Sequence, residues 1–121
     1  LPAINRHFAK ESVVAIVESL QSDGDAFAAK TAESLLTKSP TSMKLTFEQL
    51  RRGKTLDFDD CMRLEFRMVG RVIKGVDFYE GTRAAVIDKD QSPQWNPARL
   101  DEVSAADIAA YFEPLPGGEL F

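Results

Sequence analysis

The stretch at residues 77–95 brings a cation, a close-packing glycine and an aromatic residue together in the sequence DFYEGTRAAVIDKDQSPQW. Lys89 could meet an anionic ligand. However, the acids on either side of it would partly cancel its field, which favours a solvated turn. Trp95 could be a platform for a ligand, although a core anchor is the default for a tryptophan. Gly81 inside a helix costs about 1 kcal/mol against alanine, so close packing is the safer explanation for it.

Two further side chains could do chemistry, and each has a simpler structural interpretation. His7 is the only histidine, and it has no cysteine or carboxylate at metal-ligand spacing, so a structural or solvent-exposed role is favoured. Cys61 lies in the middle of an apolar helical pattern with no obvious base near it in the sequence. Packing is therefore favoured over nucleophilic attack.

Glu65 falls among apolar neighbours on the same helical pattern. A carboxylate there must be hydrogen-bonded or paired, so it could act as an acid or base. Pairing with an arginine is favoured, and the candidates are Arg67, Arg71 and Arg83. No glycine-rich phosphate loop, metal-ligand cluster or nucleophile elbow occurs. The residues alone therefore predict a domain with no metal site and no self-contained active site.

The elements that must position these residues are helical. Apolar residues recur at helical spacing, and no segment shows strand alternation. This pattern predicts an all-α fold of about six amphipathic helices, preceded by an extended segment at residues 1–9 and followed by a flexible tail at residues 113–121. The predicted helices lie within residues 10–21, 26–37, 40–53, 58–74, 78–87 and 104–112.

Residues that favour helix ends mark these boundaries. Asp77 and Glu80 fit a capping box, as do Ser104 and Asp107. Gly24 suits a left-handed position after a helix. Three further N-caps are predicted at Asp25, Ser39 and Asp57.

Length and charge limit the class of protein. A chain of 121 residues favours a single domain. Its net charge of −4 argues against nucleic acid as the main partner. No apolar run approaches the roughly 20 residues that span a bilayer, so no membrane partner is expected. A lone cysteine favours a reducing compartment.

Residues 77–90, followed by Ser92-Pro93-Gln94-Trp95, closely resemble the C-terminal part of the 3-hydroxyisobutyryl-CoA hydrolases, which belong to the enoyl-CoA hydratase/isomerase (crotonase) superfamily. Hydratases usually carry a Lys-Arg-x-Pro-Phe run where this chain has Asp-Lys-Asp-Gln-Ser-Pro-Gln-Trp. That departure favours the hydrolase branch and weakens the transfer of the hydratases' CoA-contacting lysine and phenylalanine to Lys89 and Trp95. Further matches occur in order at Ile4-Asn5 with Phe8, and at residues 39–42, 50–53, 62–67 and 111–112.

The resemblance implies hydrolysis of a branched 3-hydroxyacyl-CoA thioester in valine breakdown. In the family, an oxyanion hole and acidic side chains perform the reaction from an N-terminal α/β spiral core, and no residue of this chain matches them. The catalytic residues are thus expected upstream of Leu1. Residues 1–121 are expected to form a single C-terminal helical domain, a fragment whose core is missing. The acyl-CoA would be the substrate, with no further cofactor.

The resemblance also implies a location and partners. The helical region would wall the acyl-CoA site, with four side chains near the CoA: Phe78, Arg83, Lys89 and Trp95. It would pack on the missing core and form a homo-oligomer, in the cytoplasm of a bacterium or the mitochondrial matrix of a eukaryote. Two alternatives stay open, namely part of an enoyl-CoA hydratase or isomerase, and a stand-alone helical interaction module without catalysis.

Overall fold

A computed structural model describes residues 1–121. The chain folds into seven α-helices and contains no strand, which confirms the all-α prediction. The helices are α1 (Pro2–Phe8), α2 (Val13–Ser22), α3 (Ala26–Leu35), α4 (Pro40–Gly53), α5 (Phe58–Val72), α6 (Val76–Thr82) and α7 (Ala105–Ala110). Two short helical turns, at Arg83–Ile87 and Leu100–Glu102, follow α6 and precede α7.

The prediction of an extended segment at residues 1–9 is wrong, because α1 occupies most of it. Pro2 lies in the first turn, where its fixed φ suits a helix and its missing N–H costs nothing. At the other end of α1, His7 is buried against α2 and is only 3% exposed. The helix thus depends on a tertiary contact that local sequence does not reveal.

The predicted N-caps are confirmed where the partner is local. Asp25 accepts from the backbone N–H of Phe27, and Asp57 accepts from that of Asp60. Ser39 accepts from Ser42 N–H, and the capping box at Ser104 and Asp107 is formed in both directions. The left-handed role of Gly24 is wrong. The α2 helix instead ends because Asp23 turns to an extended backbone, with φ −81° and ψ 135°.

The predicted capping box of Asp77 and Glu80 is also wrong. The helix α6 begins at Val76 with Gly75 as its N-cap. The Asp77 carboxylate accepts instead from the Ser39 hydroxyl and from Asn96 N–H, at 2.6 and 2.8 Å. These longer-range donors compete successfully with the helix end. The same carboxylate therefore joins the starts of α4 and α6 to the loop that follows.

The apolar side chains form two small cores. One core, between α2 and α3, contains Ile16, Leu20, Ala28 and Ala32. The other lies between α4, α5 and α7, and contains Leu45, Leu64, Val103, Ile108 and Phe112.

The helix α5 carries more apolar side chains than the second core buries, because only one side of the helix faces that core. Met68 and Val72 pack on that core. An opposite stripe on α5 and the start of α6 stays 37–61% exposed. We call it the apolar stripe, and its residues are Phe66, Val69, Ile73 and Val76.

Residues 113–121 lie along α5. Leu115 fills the space beside Gly70, where a Cβ atom would come within 2.6 Å of the leucine. Arg67 pairs with Glu119 at 2.7 Å, and the Arg63 guanidinium lies 4.6 Å from the centre of the Phe121 ring. The flexibility of this tail stays a prediction.

Candidate functional site

Arg83, at the end of α6, is the centre of an ion-pair cluster. Its Nε and Nη2 donate to the two oxygens of Glu80, each at 2.8 Å. Its Nη1 donates to Asp88 at 2.8 Å and to Asp90 at 2.7 Å. Glu80 lies one helical turn before Arg83, while the two aspartates come from the following loop. We call these four residues the Arg83 cluster.

The cluster fixes the charge of its members. The Arg83 guanidinium, followed by the backbone N–H of Gln94, lowers the pKa of Glu80 to about 2. The same guanidinium, followed by Ser92 N–H, lowers the pKa of Asp90. In return Glu80, then the two aspartates, raise the pKa of Arg83. All three groups are therefore ionised at neutral pH, and none is suited to transfer a proton there.

The loop after Arg83 is shaped by a widened helical turn. The Asp88 N–H donates to the carbonyl of Arg83, five residues back, at 2.8 Å. Lys89 and Gln91 then adopt left-handed backbone conformations, with φ of 57° and 55°. Such conformations are unfavourable for residues other than glycine and persist where their surroundings hold them.

Backbone N–H groups of the loop donate to the widened turn and to a side chain of α6, and these contacts hold the rest of the loop. The Gln91 N–H donates to the carbonyl of Ala84 at 3.0 Å, and the Gln94 N–H donates to Glu80 at 2.7 Å. Residues 88–96, which we call the cluster loop, are thus fastened to one side of α6. The loop is exposed at residues 88–92, as a solvated turn would be, and its backbone is also held by these hydrogen bonds.

Trp95 lies near the end of the cluster loop and is an anchor. Its indole N–H donates to the carbonyl of Thr37 at 2.9 Å, and its ring edge lies against Gly81. A Cβ atom on Gly81 would be 3.2 Å from the ring, which confirms close packing as the reason for this glycine. Half-buried Trp95 therefore joins α6 to the end of α3.

The four residues predicted to lie near CoA fall into two groups. Phe78 and Trp95 line the same cavity of about 160 Å³, between the starts of α4 and α6. The Phe78 ring is 48% exposed. Arg83 and Lys89 do not line that cavity. They lie in the Arg83 cluster and the cluster loop, where the exposed Lys89 ammonium takes part in no ion pair or hydrogen bond of the chain.

His7 has the structural role that the sequence favours. Its Nδ1 lies 2.7 Å from the Ser19 hydroxyl and its Nε2 lies 2.8 Å from an Asp23 oxygen. Because a carboxylate can only accept, Nε2 donates to Asp23. The Asp23 pKa is lowered by Asp25 N–H first and then by His7 and Arg6.

The other two candidates also lack catalytic surroundings. The Sγ of half-buried Cys61 has one hydrogen-bond partner, the Gly53 carbonyl at 3.8 Å. Glu65 is exposed and accepts from Gln49 at 2.9 Å, so its predicted pairing with an arginine is wrong. The arginines have other partners: Glu119 for Arg67, main-chain carbonyls for Arg71, and the Arg83 cluster for Arg83.

No group of three or more His, Cys, Asp or Glu side chains is arranged to hold a metal ion. No helix is both long and apolar enough to cross a membrane.

Sequence reasoning missed the three carboxylates that surround Arg83. The spacing of Glu80 and Arg83, three apart on one helix, is a detectable signal. The other two acids, Asp88 and Asp90, flank Lys89 in the sequence, and this spacing predicts that they offset the charge of the lysine. Only the widened turn and the left-handed residues direct them to Arg83 instead.

Comparison with known proteins places these features in a family. The family model described as enoyl-CoA hydratase/isomerase matches residues 1–112. The chain is 44% identical over 120 residues to the mitochondrial 3-hydroxyisobutyryl-CoA hydrolase of Xenopus tropicalis, covering 99% of this chain and 31% of that protein. It is 46% identical over 117 residues to the protein of the same name from Gallus gallus, covering 97% of this chain and 30% of that protein.

A solved structure gives the same relationship. An enoyl-CoA hydratase from Rhodobacter sphaeroides 2.4.1 superposes with a TM-score of 0.88 at 32% identity, over 99% of this chain and 36% of that chain. The chain thus spans about a third of the length of the proteins it matches. Because the family model covers nearly all of its residues, the chain belongs to the enoyl-CoA hydratase/isomerase family.

Proposed function

We propose that this chain is the C-terminal helical part of a 3-hydroxyisobutyryl-CoA hydrolase, which cleaves an acyl-CoA thioester in valine breakdown. The observation that carries the proposal is the identity of 44% with the Xenopus tropicalis hydrolase along 99% of the chain. Asp88 to Trp95, whose departure from the hydratase pattern favours this branch, lie in the cluster loop. The departure from the hydratase pattern therefore lies in an ordered element beside α6.

Within that enzyme, the chain would wall the acyl-CoA site. The oxyanion hole and the acidic catalytic groups would lie in an α/β core upstream of Leu1, since the described carboxylates with shifted pKa values are held ionised by fixed partners. The cavity beside Phe78 and Trp95 offers an aromatic lining, and Lys89 offers a cation nearby in the sequence. The enzyme would need only the acyl-CoA substrate, without a metal or other cofactor.

The exposed apolar surface supports a partner for these helices. The apolar stripe lies outside both cores, and contiguous exposed apolar residues mark interaction surfaces. We propose that the upstream core covers part of this surface and that the enzyme is a homo-oligomer. The location would be the mitochondrial matrix in a eukaryote, as the relatives' names indicate, and the cytoplasm in a bacterium.

An assay of the longer protein tests the proposal. The enzyme obtained by extending the coding sequence upstream of Leu1 should release free CoA from 3-hydroxyisobutyryl-CoA, followed with a thiol reagent. It should not hydrate crotonyl-CoA, followed by the loss of enoyl absorbance. The 121-residue chain by itself should do neither. Turnover by that chain would contradict the placement of the catalytic groups upstream.

A second candidate is part of an enoyl-CoA hydratase or isomerase. The superposition on the Rhodobacter sphaeroides hydratase, at a TM-score of 0.88, favours it because the helices alone do not separate the two reactions. In the same assay, hydration of crotonyl-CoA without release of CoA would select this candidate. A reading frame that begins just before Leu1 would select the third, a stand-alone interaction module.

A further inference from the structure

We propose that the apolar stripe is the contact face between two copies of this chain, packed with their α5 helices antiparallel. In this arrangement Asp59 of each copy pairs with Lys74 of the other. The inference deepens the proposed homo-oligomer by naming its interface, so it rests on that part of the proposed function. It makes no assumption about the reaction or the ligand.

The stripe has the spacing at which two helices pair. Its four residues, extended towards the start of α5 by half-buried Met62, follow at alternating intervals of four and three residues. This alternation keeps apolar side chains in one line along a helix, where a second helix packs at a shallow angle. The line continues past the end of α5, because the Ile73 N–H donates to the Val69 carbonyl at 3.1 Å.

The chain itself occupies other sides of α5. Leu64 and Met68 face the second core, and on one flank Leu115 of the tail fills the space beside Gly70. The stripe lies on the side away from that core and stays 37–61% exposed. This is therefore the side from which a further helix can approach α5.

Two unpaired charges border the stripe at opposite ends. Asp59 lies in the first turn of α5, and Lys74 lies just after its C-cap. Both are exposed, and neither side chain forms an ion pair or a hydrogen bond within the chain. The adjacent Asp60, by contrast, pairs with Arg63 at 2.7 Å. At 3.6 residues per turn, Asp59 and Lys74 fall on the same flank of the stripe.

Antiparallel pairing about the centre of the stripe joins apolar side chains along α5. The centre lies between Phe66 and Val69. A two-fold axis there places Phe66 against Val69 of the second copy, and Met62 against its Ile73. The apolar face of one copy thus matches the same face of the other.

The same axis brings the unpaired charges together. It leaves Asp59 about two residues, or roughly 3 Å, from the level of Lys74 in the second copy, and the long lysine side chain spans this gap. Symmetry forms the pair twice. A parallel arrangement would instead set Asp59 beside Asp59 and Lys74 beside Lys74, and such like-charge contacts oppose association. The charges therefore select the antiparallel orientation.

A different apolar surface is available to the upstream core. A groove of about 390 Å³ is lined mostly by apolar side chains, including Phe8, Phe47 and Leu50. Phe8 belongs to α1, the first helix of the chain, so the groove lies beside the segment that would follow the core. The core can cover this groove and leave the stripe to a second copy.

Zero-length cross-linking of the 121-residue chain tests the orientation. A carbodiimide joins a carboxylate directly to an ammonium group, so it links only groups in contact. Within one chain Asp59 and Lys74 are about 22 Å apart along the helix and cannot be joined. In a mixture of ordinary and isotope-labelled chains, mass spectrometry should find these two residues joined between one chain of each kind. A dimer without this link, or a chain that stays monomeric at high concentration, would overturn the proposal.

A charge-swap cycle tests the ion pairs, with the Kd of the dimer measured by analytical ultracentrifugation. A contact through one helix per copy is small, so we expect a Kd in the micromolar range. Asp59→Lys and Lys74→Glu each make two attractive pairs repulsive and should each raise this Kd about tenfold. The double variant restores opposite charges, and its Kd should return to within about threefold of the wild type. A double variant as weak as the single ones would overturn the proposal.

The cycle also separates pairing from damage to α5. Each single variant places an unfavourable charge at a helix end, and the double variant carries both, so rescue can come only from the contact between copies. Glu33→Lys makes the same change of charge at an exposed site on α3 and should leave the Kd within about twofold. If Asp59→Lys does not fold, Asp59→Asn and Lys74→Gln replace the swap. Each should then raise the Kd about threefold and the double variant no further, and additive effects would overturn the proposal.

The longer enzyme separates this inference from the proposed reaction. The link between Asp59 and Lys74 of two copies should form there as well, and its absence would mean that the upstream core covers the stripe. That result in an enzyme that releases CoA from 3-hydroxyisobutyryl-CoA would refute the inference alone. A cross-linked enzyme without that activity would refute the proposed reaction alone.

Discussion

Glu80 accepts hydrogen bonds from Arg83 and from Gln94 N–H, and both stabilise its charged form. They lower its pKa to about 2 from an ordinary value of 4.5. Because the folded pKa is the lower one, this stabilisation is complete above pH 4.5 and is lost as the pH falls towards 2.

We therefore expect Glu80→Gln to make stability less dependent on pH in that window. Urea denaturation of the two proteins at about pH 5, 4 and 3 measures the difference. Above the window the variant should be the less stable protein, and the two should converge as the pH falls. Curves that stay parallel throughout would show that Glu80 is not the group responsible.

Gly81 gives a second prediction at the scale of one residue. Alanine would gain helix propensity of up to about 1 kcal/mol, but its Cβ would lie 3.2 Å from the Trp95 ring. The ring is held by its hydrogen bond to Thr37 and cannot yield freely. Overpacking typically costs about 1–3 kcal/mol, so we expect Gly81→Ala to lower the free energy of unfolding by about 1 kcal/mol.

Gly53 provides the matched helical control. A Cβ atom there would lie 3.6 Å from Cys61 Sγ, an ordinary contact. Gly53→Ala should leave the stability unchanged or raise it. A Gly81→Ala protein as stable as the wild type in urea would show that Trp95 can move aside.

At the scale of elements, α1 depends on one buried histidine. His7 joins the end of α1 to Ser19 and Asp23 of the α2 helix and its C-cap. Replacing it removes two hydrogen bonds between the helices, those to Ser19 and Asp23, and a typical hydrogen bond contributes about 0.5–1.5 kcal/mol. We expect His7→Ala to release α1, so that its amides exchange with deuterium much faster while those of α5 do not.

Arg6→Ala is the control for this prediction. Arg6 contacts the same Asp23 oxygen at 2.9 Å, but its side chain is largely exposed, and exposed ion pairs contribute little. It should leave the exchange of α1 nearly unchanged. Equal protection of α1 in the His7→Ala protein would mean that the histidine does not hold this helix.

The elements also show which features the sequence can predict. The caps at Asp25, Ser39 and Asp57 were predictable because each bonds an N–H two or three residues away. The helix α1 and the role of Asp77 were not predictable. The hydrogen-bond partners of His7 and Asp77 lie 12 and 38 residues away in the sequence. Local propensity decides an element only where no distant donor offers a better bond.

The candidate site likewise contains features that the sequence predicts and features that it does not. Close packing at Gly81 and the anchoring role of Trp95 follow from residue type alone. The Arg83 cluster does not, because a widened helical turn and two left-handed residues bring its acids together. These backbone features have no signal in residue spacing.

At the scale of the whole molecule, the apolar stripe predicts self-association. Phe66, Val69 and Ile73 recur at helical spacing and lie 37–48% exposed on one side of α5. Without a covering core, a second copy is the available apolar partner, so we expect the 121-residue chain to form a symmetric dimer. Light scattering with size-exclusion chromatography over a range of concentrations measures this.

The Val69→Lys and Ile73→Lys double variant should shift the chain to a monomer, because it places charges in the stripe. Thr46→Lys is a suitable control, since Thr46 is exposed on α4, away from the stripe. A wild-type chain that stays monomeric at high concentration would contradict the prediction.

The contacts of the tail have a consequence for how its sequence can change over evolution. Arg71 donates to the carbonyls of Tyr111, Glu113 and Pro114, and not to their side chains. Every amino acid carries the same main-chain carbonyl, so these hydrogen bonds from Arg71 should persist after most substitutions along this segment. We therefore expect relatives to carry many different residues at Glu113 and Gly117. At Leu115 we expect few, because its side chain fills the space beside Gly70.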